Sequence, residues 1–312
     1  MIFITSVALV SLYKGDIHYT SPGGEFQLLG FAEDSKWDVI KTPESVSVDG
    51  DGHPAKILVH SSGISISSNA IAANAVKSTP ASKIEKEYYF LTQSHTRGDT
   101  VFVMDTGEAD GFKAQAALKS GKKFVPPLST NRTELDTDRS DYVGTQTEGS
   151  LSLPTPFSVK NEGSGTREVL KDSKKVLHSF VQHFVMQGVS GTMKVDPRPN
   201  AGIHALTSGE FLGPIQIQSD RTETDLSDKT ESKFTLSGHC DKIRIESNAS
   251  GETVTAEGNV DFELWNDGQA LHLSGKSVVF KFDLNLALTE AHGNSDRPSP
   301  FTTTIPLKSK KQ

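Results

Sequence analysis

The chain has 312 residues, of which 35 % are hydrophobic and 7 % aromatic. That length allows one long or two ordinary domains, and the lean apolar share suits sheets that bury every second residue better than a thick helical core. With 32 Lys and Arg against 39 Asp and Glu, the formal net charge is −7, which speaks against nucleic acid, a partner that demands a basic footprint.

In chain order, the start "MIFITSVALVSLYKGD" is apolar through Tyr13. It is shorter than the roughly 20 apolar residues of a spanning helix and has no basic lead or small-residue cleavage site. Two readings stand: a buried first strand or helix, or, over 1–15, a truncated signal or membrane anchor. Residues 16–118 read as an N-terminal β-rich lobe. Within it "KILVHSSGISISS" (56–68) and "DTVFVMDTG" (99–107) have strand character, and "GEADG" (107–111) reads as a turn. The best helical candidate there is the alanine-rich "SNAIAANAVKS" (68–78). Residues 119–148 are polar and Pro-containing, the pattern of a linker or long loop.

A second domain is expected over 149–293. "GSLSLPTPFSVK" (149–160) and "GPIQIQSD" (213–220) alternate with period two. The run 164–188 could place Val169, Leu170, Val176, Leu177, Phe180, Val181 and Phe184 on one helical face, but "SFVQHFVM" is rich in β-formers and a strand over 176–187 is preferred. Residues 294–312 read as a solvated tail.

Glycines at 188, 209, 238, 258 and 275 each precede a short alternating run, a near-regular spacing that marks a repeated β rung. Met193 and Val195, Ile243 and Ile245, and Phe280 and Phe282 stand five and seven residues after their glycines, with polar residues between them. Each rung therefore has one oily and one wet face. The oily faces can pack on one another or line a groove. A lining of Ile, Val, Leu and Phe suits an acyl chain, since each buried methylene is worth about 0.8 kcal/mol.

Other chemistry is sparse. Cys240 is the only cysteine, so no internal disulfide forms, and its neighbour His239 belongs to the opposite strand face. His178 and His183 lack a zinc spacing. The acidic stretches 49–52 and 134–141 lack the ligand order of an EF-hand. The chain contains no P-loop, GxSxG or dinucleotide fingerprint. Asp261, Glu263, Glu246 and Asp283 fall on rungs and leave open a carbohydrate-active β-helix enzyme. No cofactor or metal is implied.

Residues 213–293 carry a resemblance. "TAEGNVDF" (255–262), followed by "LHLSGKSVVFKF", and the preceding Ser219, Asp220, Asp225, Leu236 and Gly238 resemble the OstA-like domain of lipopolysaccharide-transport proteins, the LptA and LptC type. The match is looser over 176–212 and only suggestive in the N-terminal half.

The resemblance implies an all-β fold of repeated short antiparallel strands forming a β-jellyroll or slanted β-coil, in two lobes if the N-terminal half folds likewise. It implies a non-enzymatic periplasmic protein that binds or relays lipopolysaccharide or a related lipid, anchored to the inner membrane in LptC-type members. It also implies partners of the same fold joined by edge-strand pairing. The expected groove lining is Ile215, Ile217, Phe234, Leu236, Ile243, Ile245, Val260, Phe262, Leu264, Val278, Phe280 and Phe282. The competing expectation is a structural β-repeat protein in which the same residues fill a closed core.

Overall fold

Alternation becomes strand almost everywhere. A computed structural model describes residues 8–13, 17–20, 26–30, 36–41, 45–60, 63–78, 89–121, 123–125, 127–171, 174–196, 206–248, 250–266, 268–283 and 288–294. The N-terminal strands are β1 (Ala8–Tyr13), β2 (Ile17–Thr20), β3 (Phe26–Gly30), β4 (Lys36–Lys41), β5 (Ser45–Val59), β6 (Ile64–Lys77) and β7 (Tyr89–Asp105). The helix α1 (Thr106–Lys119) follows, then β8 (Ser129–Gly144), β9 (Gly149–Leu153), β10 (Phe157–Lys171), β11 (Lys174–Gly188) and β12 (Ser190–Val195). Long strands complete the chain: β13 (Leu206–Asp225), β14 (Glu231–Asn248), β15 (Gly251–Asn266), β16 (Gln269–Phe282) and the short β17 (Leu288–Asn294).

All ladders are antiparallel. From β4 through β8 each strand pairs with its successor, and the same holds from β13 through β17. Between them β8 pairs with both β9 and β10, which together form one broken rung. Pro154 and Pro156 lie in the break and donate nothing to a ladder. The Thr155 hydroxyl substitutes there, accepting the Arg139 N–H at 3.0 Å. The next rung is likewise made of β11 and β12. Among the described residues β17 has a ladder to β16 alone.

The expected all-β fold is thus found, as consecutive antiparallel rungs. Three local expectations differ. Residues 68–78 belong to strand β6, not a helix, because β5 and β7 pair with it on both sides and tertiary pairing overrides alanine's helical preference. Residues 129–144, inside the expected linker, form β8. Residues 107–111 open α1 rather than turn: the Asp105 carboxylate accepts the N–H groups of Gly107 and Glu108 at 2.9 and 3.2 Å, capping the helix. Residues 164–188 fall in the β10–β11 hairpin, as the strand reading of 176–187 expected.

Residues 8–13 of the apolar start form β1 against β4; 1–7, 14–16 and the tail 295–312 lie outside the described residues. No described helix is long and apolar enough to cross a membrane.

The rungs carry two apolar clusters. A large one runs from Leu135 of β8 to Ala291 of β17. A smaller one holds Val48, Ala55, Ile57, Ile66 and Ile71. Phe102 of β7 packs against both.

Candidate functional site

The glycine repeat has a simple geometry. Gly238 and Gly258 lie in mid-strand, beside irregularities at 239–242 and 257–260. Gly258 (φ +71°) is followed by Asn259 (φ +43°), and the Asn259 amide donates to Asp241 at 2.7 Å. At these two positions the repeated glycine therefore belongs to a bulge within a long strand, whereas Gly188 ends β11. The bulge keeps the apolar phase inward on both sides of it. Gly238 has a second reason to lack a side chain: a Cβ would stand 2.5 Å from the Phe262 ring and 2.1 Å from the Asp261 carbonyl.

All twelve expected lining residues share one apolar cluster. Ile215, Ile217, Leu236, Ile243, Val260, Phe262, Leu264, Val278 and Phe280 are buried, while Phe234, Ile245 and Phe282 are half-buried and packed against them. Phe262 and Phe280 meet edge-on at 5.4 Å. The side chains fill the space between the rungs. The two best-defined concavities, of about 360 and 410 Å³, are open and lie elsewhere; of the twelve residues only Ile217 borders one.

Register shows a feature that the sequence reading missed. Leu273, Phe262, Gly238, Ile217, Met186, Val159, Leu135, Phe102, Ile66 and Ile57 are successive cross-strand partners from β16 to β5. With strands about 4.8 Å apart, this row is roughly 40 Å long. The neighbouring rows turn polar at β7 and β8. Ser68 and Thr100 share a hydrogen bond of 2.9 Å, and Thr96 and Ser140 one of 2.7 Å, all four buried. The hint in the sequence was Thr and Ser in the phase that elsewhere carries Val and Ile.

One end of the inner face is charged. Glu223 receives Arg167 at 2.7 Å and Arg221 at 2.7 Å. Arg167 also reaches Asp283 at 3.2 Å, tying β10 to the residue after β16. Arg221 lies 4.5 Å above the Phe180 ring and donates to Gln182 at 2.8 Å. Burial alone would raise the Glu223 carboxyl, but the hydrogen bonds and charges of Arg167 and Arg221 outweigh it and hold it below the usual range. Burial draws Arg221 down, against the pull of Glu223.

His178, 3.6 Å from Glu223 and 3.7 Å from Asp225, belongs to this cluster; His183 is exposed. Cys240 is buried while His239 is exposed, so the two do face apart, and burial first of all pushes the thiol up to about 11. Of the rung carboxylates, Asp261 pairs with His272 at 2.7 Å and Asp283 with Arg167. Among the described residues no three His, Cys, Asp or Glu gather as metal ligands. Comparison with family models, curated proteins and solved structures gave no match to this chain.

Proposed function

We propose that this chain is a non-enzymatic cell-envelope protein that binds or relays a lipopolysaccharide-type lipid along its apolar inner face, in the manner of the OstA-like proteins it resembles. The observation that carries the reading is the unbroken apolar row from Leu273 to Ile57, long enough for an acyl chain to run across rungs. An open β17 edge, unpaired among the described residues, leaves the sheet free to widen. Admitting a lipid requires side chains of the apolar cluster to part, because they pack against one another.

A second reading, a structural β-repeat protein with a permanently closed core, is favoured by the complete burial of residues such as Ile215, Ile243 and Phe262.

The half-buried rim separates the two. Phe262→Asp unfolds the chain under either reading, so it decides nothing. Ile245→Asp and Phe282→Asp sit where a charge stays partly hydrated. After incubation with lipopolysaccharide and gel filtration, the wild type is expected to retain lipid and these variants about tenfold less, with unchanged far-ultraviolet circular dichroism. A wild type that retains none, or folded variants that retain as much, overturns the lipid reading.

A further inference from the structure

The excursion between β7 and β8 has a chemistry unlike the rest of the molecule. Residues 111–133 contain Lys113, Lys119, Lys122, Lys123 and Arg132 and no carboxylate, in a chain of net charge −7. The same stretch holds three of the most exposed large apolar side chains: Leu118 at 77 %, Val125 at 74 % and Leu128 at 70 %.

Only the base of the excursion is attached to the sheet. Thr106 exchanges hydrogen bonds with the Asn131 backbone at 2.8 and 3.2 Å. Glu108 meets His60 at 2.9 Å, and Phe112 stacks on the same imidazole. Ala109 is the one buried residue of α1. Beyond Phe112 no described residue of the helix or of the segment up to Leu128 is buried; Phe124 is half-buried, while Leu118, Val125 and Leu128 stand in water. Lys119 and Lys123 are exposed, and neither is in an ion pair among the described residues.

Lys113 pairs with Asp110 at 3.7 Å. A surface rarely exposes several large apolar side chains together, and lysines such as Lys119 and Lys123, outside any ion pair among the described residues, suit an anionic surface that wets the cations and takes the apolar groups. We propose that this excursion docks on the surface of an anionic lipid bilayer, with Leu118, Val125 and Leu128 entering the interface and Lys119 and Lys123 against the headgroups. The inference stands apart from the inner-face reading and survives its failure.

The test is local, so that attachment by another part of the chain is not mistaken for it. In a Cys240→Ala background, which removes the one native thiol, Val125→Cys is labelled with an environment-sensitive dye; Ser150→Cys, exposed on β9, is the reference in the same background. With phosphatidylcholine vesicles containing phosphatidylglycerol, the dye at 125 is expected to shift to the blue, less so as salt is added, and the dye at 150 to stay unmoved. Adding Leu118→Ser and Leu128→Ser, or Lys119→Glu and Lys123→Glu, is expected to weaken the response about tenfold. An unshifted dye at 125, even on protein that floats with the vesicles, overturns the proposal. So does an equal shift with phosphatidylcholine alone.

Discussion

Glu223 sits where the apolar inner face gives way to charge, and its two arginines make it the residue whose protonation matters most there. Its carboxyl is held below the ordinary value of 4.5, so the unfolded chain binds a proton more readily than the folded one. The stabilisation it supplies is complete above about pH 5 and is lost as the pH falls through the unfolded value towards the folded one. Glu223→Gln removes the negative charge shared by the half-buried Arg167 and the buried Arg221. We expect it to lower stability at neutral pH by about 2–4 kcal/mol and to flatten the loss of stability between about pH 5 and pH 3. Urea midpoints of both proteins across that range measure this directly. The flattening is partial, because Asp141, Glu210 and Glu290 are also held low by basic partners. Wild type and variant losing stability in parallel would show that the pair carries no net weight.

The strand is the scale at which the mid-rung bulge matters. Gly258 has φ +71°, and a Cβ there would stand 2.6 Å from the Asp241 carboxylate. Gly258→Ala is expected to cost about 1–2 kcal/mol without changing the slope of urea unfolding, while Gly268→Ala in the open turn before β16, also at positive φ (+80°) but with nothing near a Cβ, isolates the backbone share of that cost. Equal losses at the two sites would assign the whole effect to backbone strain.

Elements were legible in the sequence where inward residues are apolar, as from 213 to 282, and illegible where they are not. β8 was read as linker because its inward phase carries Thr137 and Ser140, buried but hydrogen-bonded to Thr155 and Thr96; burial there is satisfied by hydroxyls, which hydropathy does not register. The later part of β6, within 68–78, reads as helix because Ala70, Ala72, Ala73 and Ala75 hide a strand that its two neighbours impose. α1 was missed because its signal is a single aspartate cap on a helix with almost no buried face. The period puts the twelve candidate residues in one apolar phase, and they share one cluster. Whether that face is a groove lay beyond period, since a packed core and a lipid tunnel ask for the same side chains.

At the scale of the molecule the open question is how the core breathes, and the lone cysteine reports on it. Cys240 lies on the inner face between Ile215 and the bulge of β14, with its thiol raised to about 11. In the closed state almost none of it is thiolate at neutral pH, so alkylation has to await an opening that returns the thiol to water and towards its ordinary value near 8.5. A permanently closed core exposes Cys240 only by global unfolding, and its alkylation rate would then rise with urea as steeply as the global equilibrium. A core that admits lipid has a smaller opening, in which side chains of the apolar cluster separate while the β14–β17 ladders stay intact. That opening exposes less surface, so alkylation would proceed without denaturant and depend on urea with a clearly lower slope. We expect the lower slope, and we expect saturating lipopolysaccharide to suppress alkylation by covering the opened face. A slope equal to that of global unfolding, unaffected by lipid, would make the apolar row a core and nothing more.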